Sequence, residues 1–153
     1  LQKVVYNNLK QVGGVKYSAE DRKFAEAIQK TFRKVNMPIE SAQHIQPYIF
    51  RPGKGSTDVG DVSWIVPTAG FNVATWVPGT SAHTWQAVAV GGMDIGMKGL
   101  IVAAKTLSLS AVDYFSNLEV LKNAKLELID RRGSNFDYYP LLGDRDPPLD
   151  YRK

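Results

Sequence analysis

Between Val62 and Met93 the chain runs for 32 residues without one Asp, Glu, Lys or Arg. A stretch this long and uncharged is expected either to be buried or to line a site. A membrane span is the obvious competitor, but Pro67, Gly70, Asn72, Pro78, Gly79, His83 and Gln86 interrupt every window of about 20 apolar residues that a span needs. The later run Ile95–Phe115 carries Lys98, Lys105 and Asp113, which predicts a buried helix rather than a span. No membrane partner is expected.

The charge that the central stretch lacks is concentrated before it. Residues 1–51 carry a net +5, residues 52–117 a net −1 and residues 118–153 none. Because Glu20, Asp21 and Glu26 are interspersed among the bases, the pattern reads as the solvated face of a helix. It is not a continuous basic stripe, and no nucleic-acid partner is expected. At 153 residues the chain is long enough for one core. It contains no cysteine, which excludes disulfides, thiol catalysis and Cys-ligated metals and fits a reducing, cytoplasmic compartment. His44 and His83 are the only imidazoles, so no histidine-rich metal centre can be assembled from this chain alone. The chain starts at Leu1 without a basic-then-apolar leader, and the expectation is an excised or processed piece.

Ser18-Ala-Glu-Asp21 reads as a capping box ahead of Phe24, Ala25, Ile28, Phe32 and Val35, which predicts a helix over 19–35 that ends at Asn36 before Pro38. A shorter helix is predicted over 1–12, ended by Gly13-Gly14. A long one should start near Asp94 and reach Phe115. A third should be capped by Asn117, with Leu121, Ala124 and Leu128 on one face. Residues 45–50 and 70–77 are rich in β-branched and aromatic residues between Pro and Gly, and both read as strands, with Phe71 or Trp76 in the core and residues 51–58 as the loop between them. Residues 134–153 read as an extended surface tail. The fold class expected is therefore α/β, helices packed on a short mixed sheet, although the order is no clean βαβ alternation.

His83 lies in a turn of small polar residues after the second predicted strand, where an imidazole can reach a ligand or metal; a partly buried histidine bonded to backbone carbonyls is the plainer alternative. Asp58 and Asp61 would share a face if helical, yet Asp is also a common cap and turn former. Gly53-Lys-Gly-Ser-Thr lacks the glycine spacing of a phosphate loop, and no Gly-x-Ser-x-Gly elbow exists. The glycines from Gly91 to Gly99 read as close helix packing.

Taken in order, Gly55-Ser-Thr-Asp-Val-Gly-Asp-Val-Ser-Trp64, Pro67-Thr, Thr80-Ser-Ala-His-Thr-Trp85 and the Gly-rich start of a long Ala/Leu helix resemble the C-terminal part of the aminobenzoyl-glutamate utilisation protein B family. The resemblance extends from the Asn8-Leu-Lys-Gln-Val-Gly segment to the Pro147-Pro-Leu-Asp-Tyr-Arg tail. That family is grouped with metal-dependent amidohydrolases and peptidases related to aminoacylase and the zinc carboxypeptidases.

The resemblance implies that residues 1–153 are the C-terminal portion, the second half, of a dinuclear zinc-peptidase-like catalytic domain, incomplete in this chain because the lid or dimerisation domain and the N-terminal half lie elsewhere. It implies that His83 is the last metal-binding histidine and that Asp58 and Thr80 line the site. No catalytic residue is expected in this chain: the general base would come from a Glu-Glu pair, and none occurs here. The intact parent would hold a divalent metal, zinc or manganese, cleave a small acyl- or aroyl-amino-acid amide with a metal-activated water, and form a homo- or hetero-oligomer through its lid. This chain alone is expected to bind no metal and to be inactive. A free-standing, non-catalytic binding module derived from the same fold is the alternative.

Overall fold

A computed structural model of the chain describes residues 1–49 and 57–150. Among them there are six α-helices, one 3-10 turn and no strand: α1 (Gln2–Val12), α2 (Ala19–Gln29), the 3-10 turn Ile39–Gln43, α3 (Val59–Ile65), α4 (Trp85–Gly91), α5 (Asp94–Ser116) and α6 (Leu118–Arg132). The expected α/β class, helices on a mixed sheet, is thereby corrected to an all-helical arrangement.

The reason is visible in the backbone of the two segments that read as strands. Residues 45–49 are non-helical, with Gln46 to Ile49 exposed, and Pro47 has no N–H to give to a ladder. Phe50 and the rest of the loop to Ser56 lie outside the described residues. Residues 70–77 are also non-helical, but they lie against helices instead of another strand. Gly70 exchanges two hydrogen bonds with the Gln2 side chain, at 2.6 and 3.1 Å, and the Thr75 N–H turns back to the Val73 carbonyl at 2.9 Å. β-branched and aromatic composition reports fitness for a pleated, half-buried surface. A strand needs a paired neighbour as well.

The uncharged stretch is divided between inside and outside. Val77 and Val90 are fully buried, whereas Trp64, Trp85 and Val88 are exposed. Phe71 is half-buried and Trp76 is exposed, so the core residue of 70–77 is Val77, not either aromatic. Val77 joins Ala25 and Ile28 of α2, Ile39, Val90 of α4 and Ile95 of α5 in one cluster, edged by Tyr17, Phe24 and Phe32.

Side chains cap α2 and α4, through Ser18 and Thr84, whereas Asn117, the expected cap of α6, makes no capping bond. The Ser18 hydroxyl accepts the Asp21 N–H at 3.2 Å while the Asp21 carboxylate accepts the Ser18 N–H at 2.7 Å, a complete capping box. Helix α2 stops at Gln29, short of the expected Asn36. The Thr31 and Phe32 N–H groups bond to carbonyls three residues back, and the Thr31 hydroxyl binds the Ile28 carbonyl at 2.7 Å, tightening the last turn out of α geometry.

Helices α1 and α5 occupy the expected ranges; α6 follows Asn117 as expected, but of Leu121, Ala124 and Leu128 it buries only Ala124. By length and composition helix α5 alone among the described residues could cross a membrane. It buries one face only, through Ile95, Gly99, Thr106 and Ser110; Leu100, Leu107 and Phe115 are exposed. The buried face carries a polar seam to α1, where the Asn8 amide donates to Asp113 at 2.8 Å and to the Ser110 hydroxyl at 3.3 Å. Residues 134–150 are non-helical, with turns at 134–135 and 141–144, and are pinned near their start by Phe136 and Tyr138.

Candidate functional site

The turn carrying His83 is built by short-range hydrogen bonds. Val77 and Pro78 are buried and anchor its first end. Gly79 follows at φ 90°, in the left-handed region where a Cβ would be strained. Thr80 folds back, its N–H and hydroxyl both donating to the Val77 carbonyl at 3.0 and 2.7 Å. At the far end Thr84 caps α4, accepting the Ala87 N–H at 3.3 Å and donating to the Ser81 carbonyl at 2.8 Å.

Between these anchors His83 stands exposed at φ 59°, the one non-glycine residue with positive φ among those described. For a residue with a Cβ that conformation costs roughly 1–2 kcal/mol. The turn holds it there and leaves the imidazole open to solvent.

Asp58 occupies the N-terminus of α3. Its side chain makes no capping bond: the Gly60 and Asp61 N–H groups it could accept go to the Thr57 and Asp58 carbonyls at 3.2 and 3.1 Å, and the Thr57 hydroxyl takes the Val59 N–H at 3.3 Å. Asp61 points to the tail and accepts the Tyr138 hydroxyl at 2.9 Å, a bond that raises the Tyr138 pKa because the neutral phenol is its donor. Nearby, Trp64 stacks on Phe136 with ring centres 4.9 Å apart, and Arg132 lies over the Phe136 ring while donating to the Trp64 carbonyl. Helix α3 is thus fastened to the end of α6 and the tail.

Asp58 and Asp61 therefore do different things, and among the described residues no hydrogen bond joins Asp58 to His83 or Thr80. Nor does any group of three His, Asp or Glu side chains there converge as a metal would require. His83 is available as a single donor, and a divalent ion held by this chain would need further ligands.

A groove of about 540 Å³ runs between the 3-10 turn and residues 71–80, with Val15, Met37, His44, Trp76 and Thr80 on its walls. Thr80 lines it; His83 and Asp58 do not. His44, which the sequence marks only as an imidazole, stands at its edge, exposed at the end of the 3-10 turn.

The chain is 29% identical over 152 aligned residues to a subunit of p-aminobenzoyl-glutamate hydrolase from Escherichia coli (strain K12), a match covering 83% of this chain and 32% of that protein. The chain is related to that hydrolase subunit. It spans about a third of the relative's length. No family model matches the chain, and no solved structure matches it either.

Proposed function

We propose that the chain is a portion of a metal-dependent amidohydrolase that cleaves an aroyl-amino-acid amide of the aminobenzoyl-glutamate kind. The observation that carries this reading is the relation to the p-aminobenzoyl-glutamate hydrolase subunit, and the strained, exposed His83 is the residue best placed to serve it. His83 offers an imidazole nitrogen to zinc or manganese, with Thr80 at the start of the same turn. A bound divalent ion supplies a water of lowered pKa and polarises the amide carbonyl. The other ligands and the general base come from residues outside this chain. The role of the turn is to hold the imidazole out in solvent, where a ring-nitrogen lone pair is open to the ion.

The relative is named as one subunit of its hydrolase, and assembly with a further chain, through segments beyond this one, is part of the proposal. So is a cytoplasmic setting, which the absence of cysteine supports.

The test is hydrolysis of p-aminobenzoyl-glutamate by the full-length protein, before and after chelation, with His83→Ala and His44→Ala alongside. The expected result is turnover that chelation abolishes and zinc or manganese restores, lost in His83→Ala by at least about 100-fold and largely retained in His44→Ala. Chelator-resistant turnover, or His83→Ala with normal turnover, would contradict the proposal.

A further inference from the structure

Both ends of the His83 turn rest on one short segment, residues 29–36, at the C-terminal end of α2. At the first end the half-buried Gln29 amide nitrogen donates to the Pro78 carbonyl at 2.9 Å and also to the Met37 carbonyl at 2.9 Å, so one side chain ties the start of the turn to the chain leaving α2. Beside it Gly79 lies so close to this segment that a Cβ would stand 3.1 Å from the Asn36 side-chain oxygen and 3.4 Å from the Phe32 ring. At the second end the Gln86 amide donates to the Thr31 hydroxyl at 3.1 Å, and that hydroxyl passes its own proton to the Ile28 carbonyl at 2.7 Å.

The turn is held at residues 78–79 and again at residue 86, with the strained His83 between. A left-handed histidine persists only where its surroundings over-determine it. Bonds inside the turn define its shape, and those to 29–36 fix it relative to the core.

We propose that Gln29 and Thr31 are positioning residues for His83, a clamp that sets the left-handed backbone and the direction of the imidazole; its consequence for metal binding rests on the function proposed above. Neither side chain touches the imidazole. Gln29 acts on the main chain of the turn at Pro78 and Thr31 on the Gln86 side chain of α4 just beyond it, as groups behind a metal ligand do when their loss weakens affinity roughly 10–100-fold.

The test has two readouts on the double variant Gln29→Met/Thr31→Val, which keeps side-chain volume and removes both polar links. In the purified chain, the heteronuclear 15N relaxation of His83 is expected to show new fast motion, with His44 unchanged. Unchanged His83 relaxation in the folded double variant would overturn the clamp. In the full-length protein titrated with cobalt(II), the double variant is expected to bind at least about tenfold more weakly with an altered visible spectrum, and Thr31→Ser, which keeps the hydroxyl, to restore the Thr31 share. If His83→Ala abolishes the cobalt spectrum while the double variant leaves it intact, the positioning role is wrong and the site stands. If His83→Ala leaves the cobalt spectrum unchanged, the proposed function fails, and the clamp is decided by relaxation alone.

Discussion

Asp21 carries two tasks at once, and they set its protonation. It completes the capping box of α2 and receives the Lys98 ammonium from α5, while being 5% exposed. Burial alone would raise its pKa; the Lys98 bond and charge, with the Ser18 N–H, outweigh that and hold it below the ordinary carboxylate range. A carboxyl whose folded pKa is lowered contributes stability that is present above its unfolded value, near 4, and is lost as pH falls through the folded one. Lys98→Met leaves the buried carboxylate without its cation and should cost about 1–3 kcal/mol at pH about 7, a figure reduced because Lys98 is itself partly exposed. At a pH low enough to protonate Asp21 in the folded protein as well, the difference should largely vanish. Urea denaturation at the two pH values measures it, and an equal loss at both would show that the pair is not the cause. The Tyr17 phenol nearby is pushed up to about 12 by burial first and by the Asp21 charge second. The capping box was legible as Ser18-Ala-Glu-Asp21; the Lys98 partner, 77 residues away, was not, because local pattern carries no information about which helices meet.

At the scale of elements, what decides the structure is which surfaces can approach. Helix α5 meets the extended segment 70–77 at Gly99, where a Cβ would lie 2.7 Å from the Ala74 carbonyl oxygen and 2.9 Å from the Thr75 Cα. Backbone on that side cannot swing away like a flexible side chain, so Gly99→Ala should lower stability by about 1–3 kcal/mol despite alanine's better helix propensity, whereas Gly91→Ala, with open space around it, should cost less than about 1 kcal/mol. Thermal denaturation of both variants checks this, and a Gly99→Ala protein as stable as the wild type would place α5 farther from residues 74–75. The sequence indicated close packing near these glycines, α1 by the Gly13-Gly14 that ends it and α5 by its start near Asp94, while α6 formed without the Asn117 cap and the apolar face that suggested it. It misread 45–50 and 70–77 because composition speaks for an extended backbone but not for the neighbour that makes it a strand. It missed α3 and α4 because seven residues are too few for a period to declare itself.

For the whole molecule, the sequence singled out His83 by its position in a small-residue turn, and the structure adds the left-handed backbone, the exposure and the anchoring of the turn at both ends. Gln29 and Thr31 could not be found from the sequence, since polar residues at the end of an amphipathic helix look like any solvated surface. The claim on which the functional account depends is that His83 gives a metal its donor atom from this chain. Metal content of the full-length protein by mass spectrometry, in the wild type, His83→Ala and His44→Ala, each shown to be folded by circular dichroism, tests that most directly. The account expects zinc or manganese in the wild type and in His44→Ala, and a loss of at least half of it in His83→Ala. Full metal stoichiometry in a folded His83→Ala protein would contradict it.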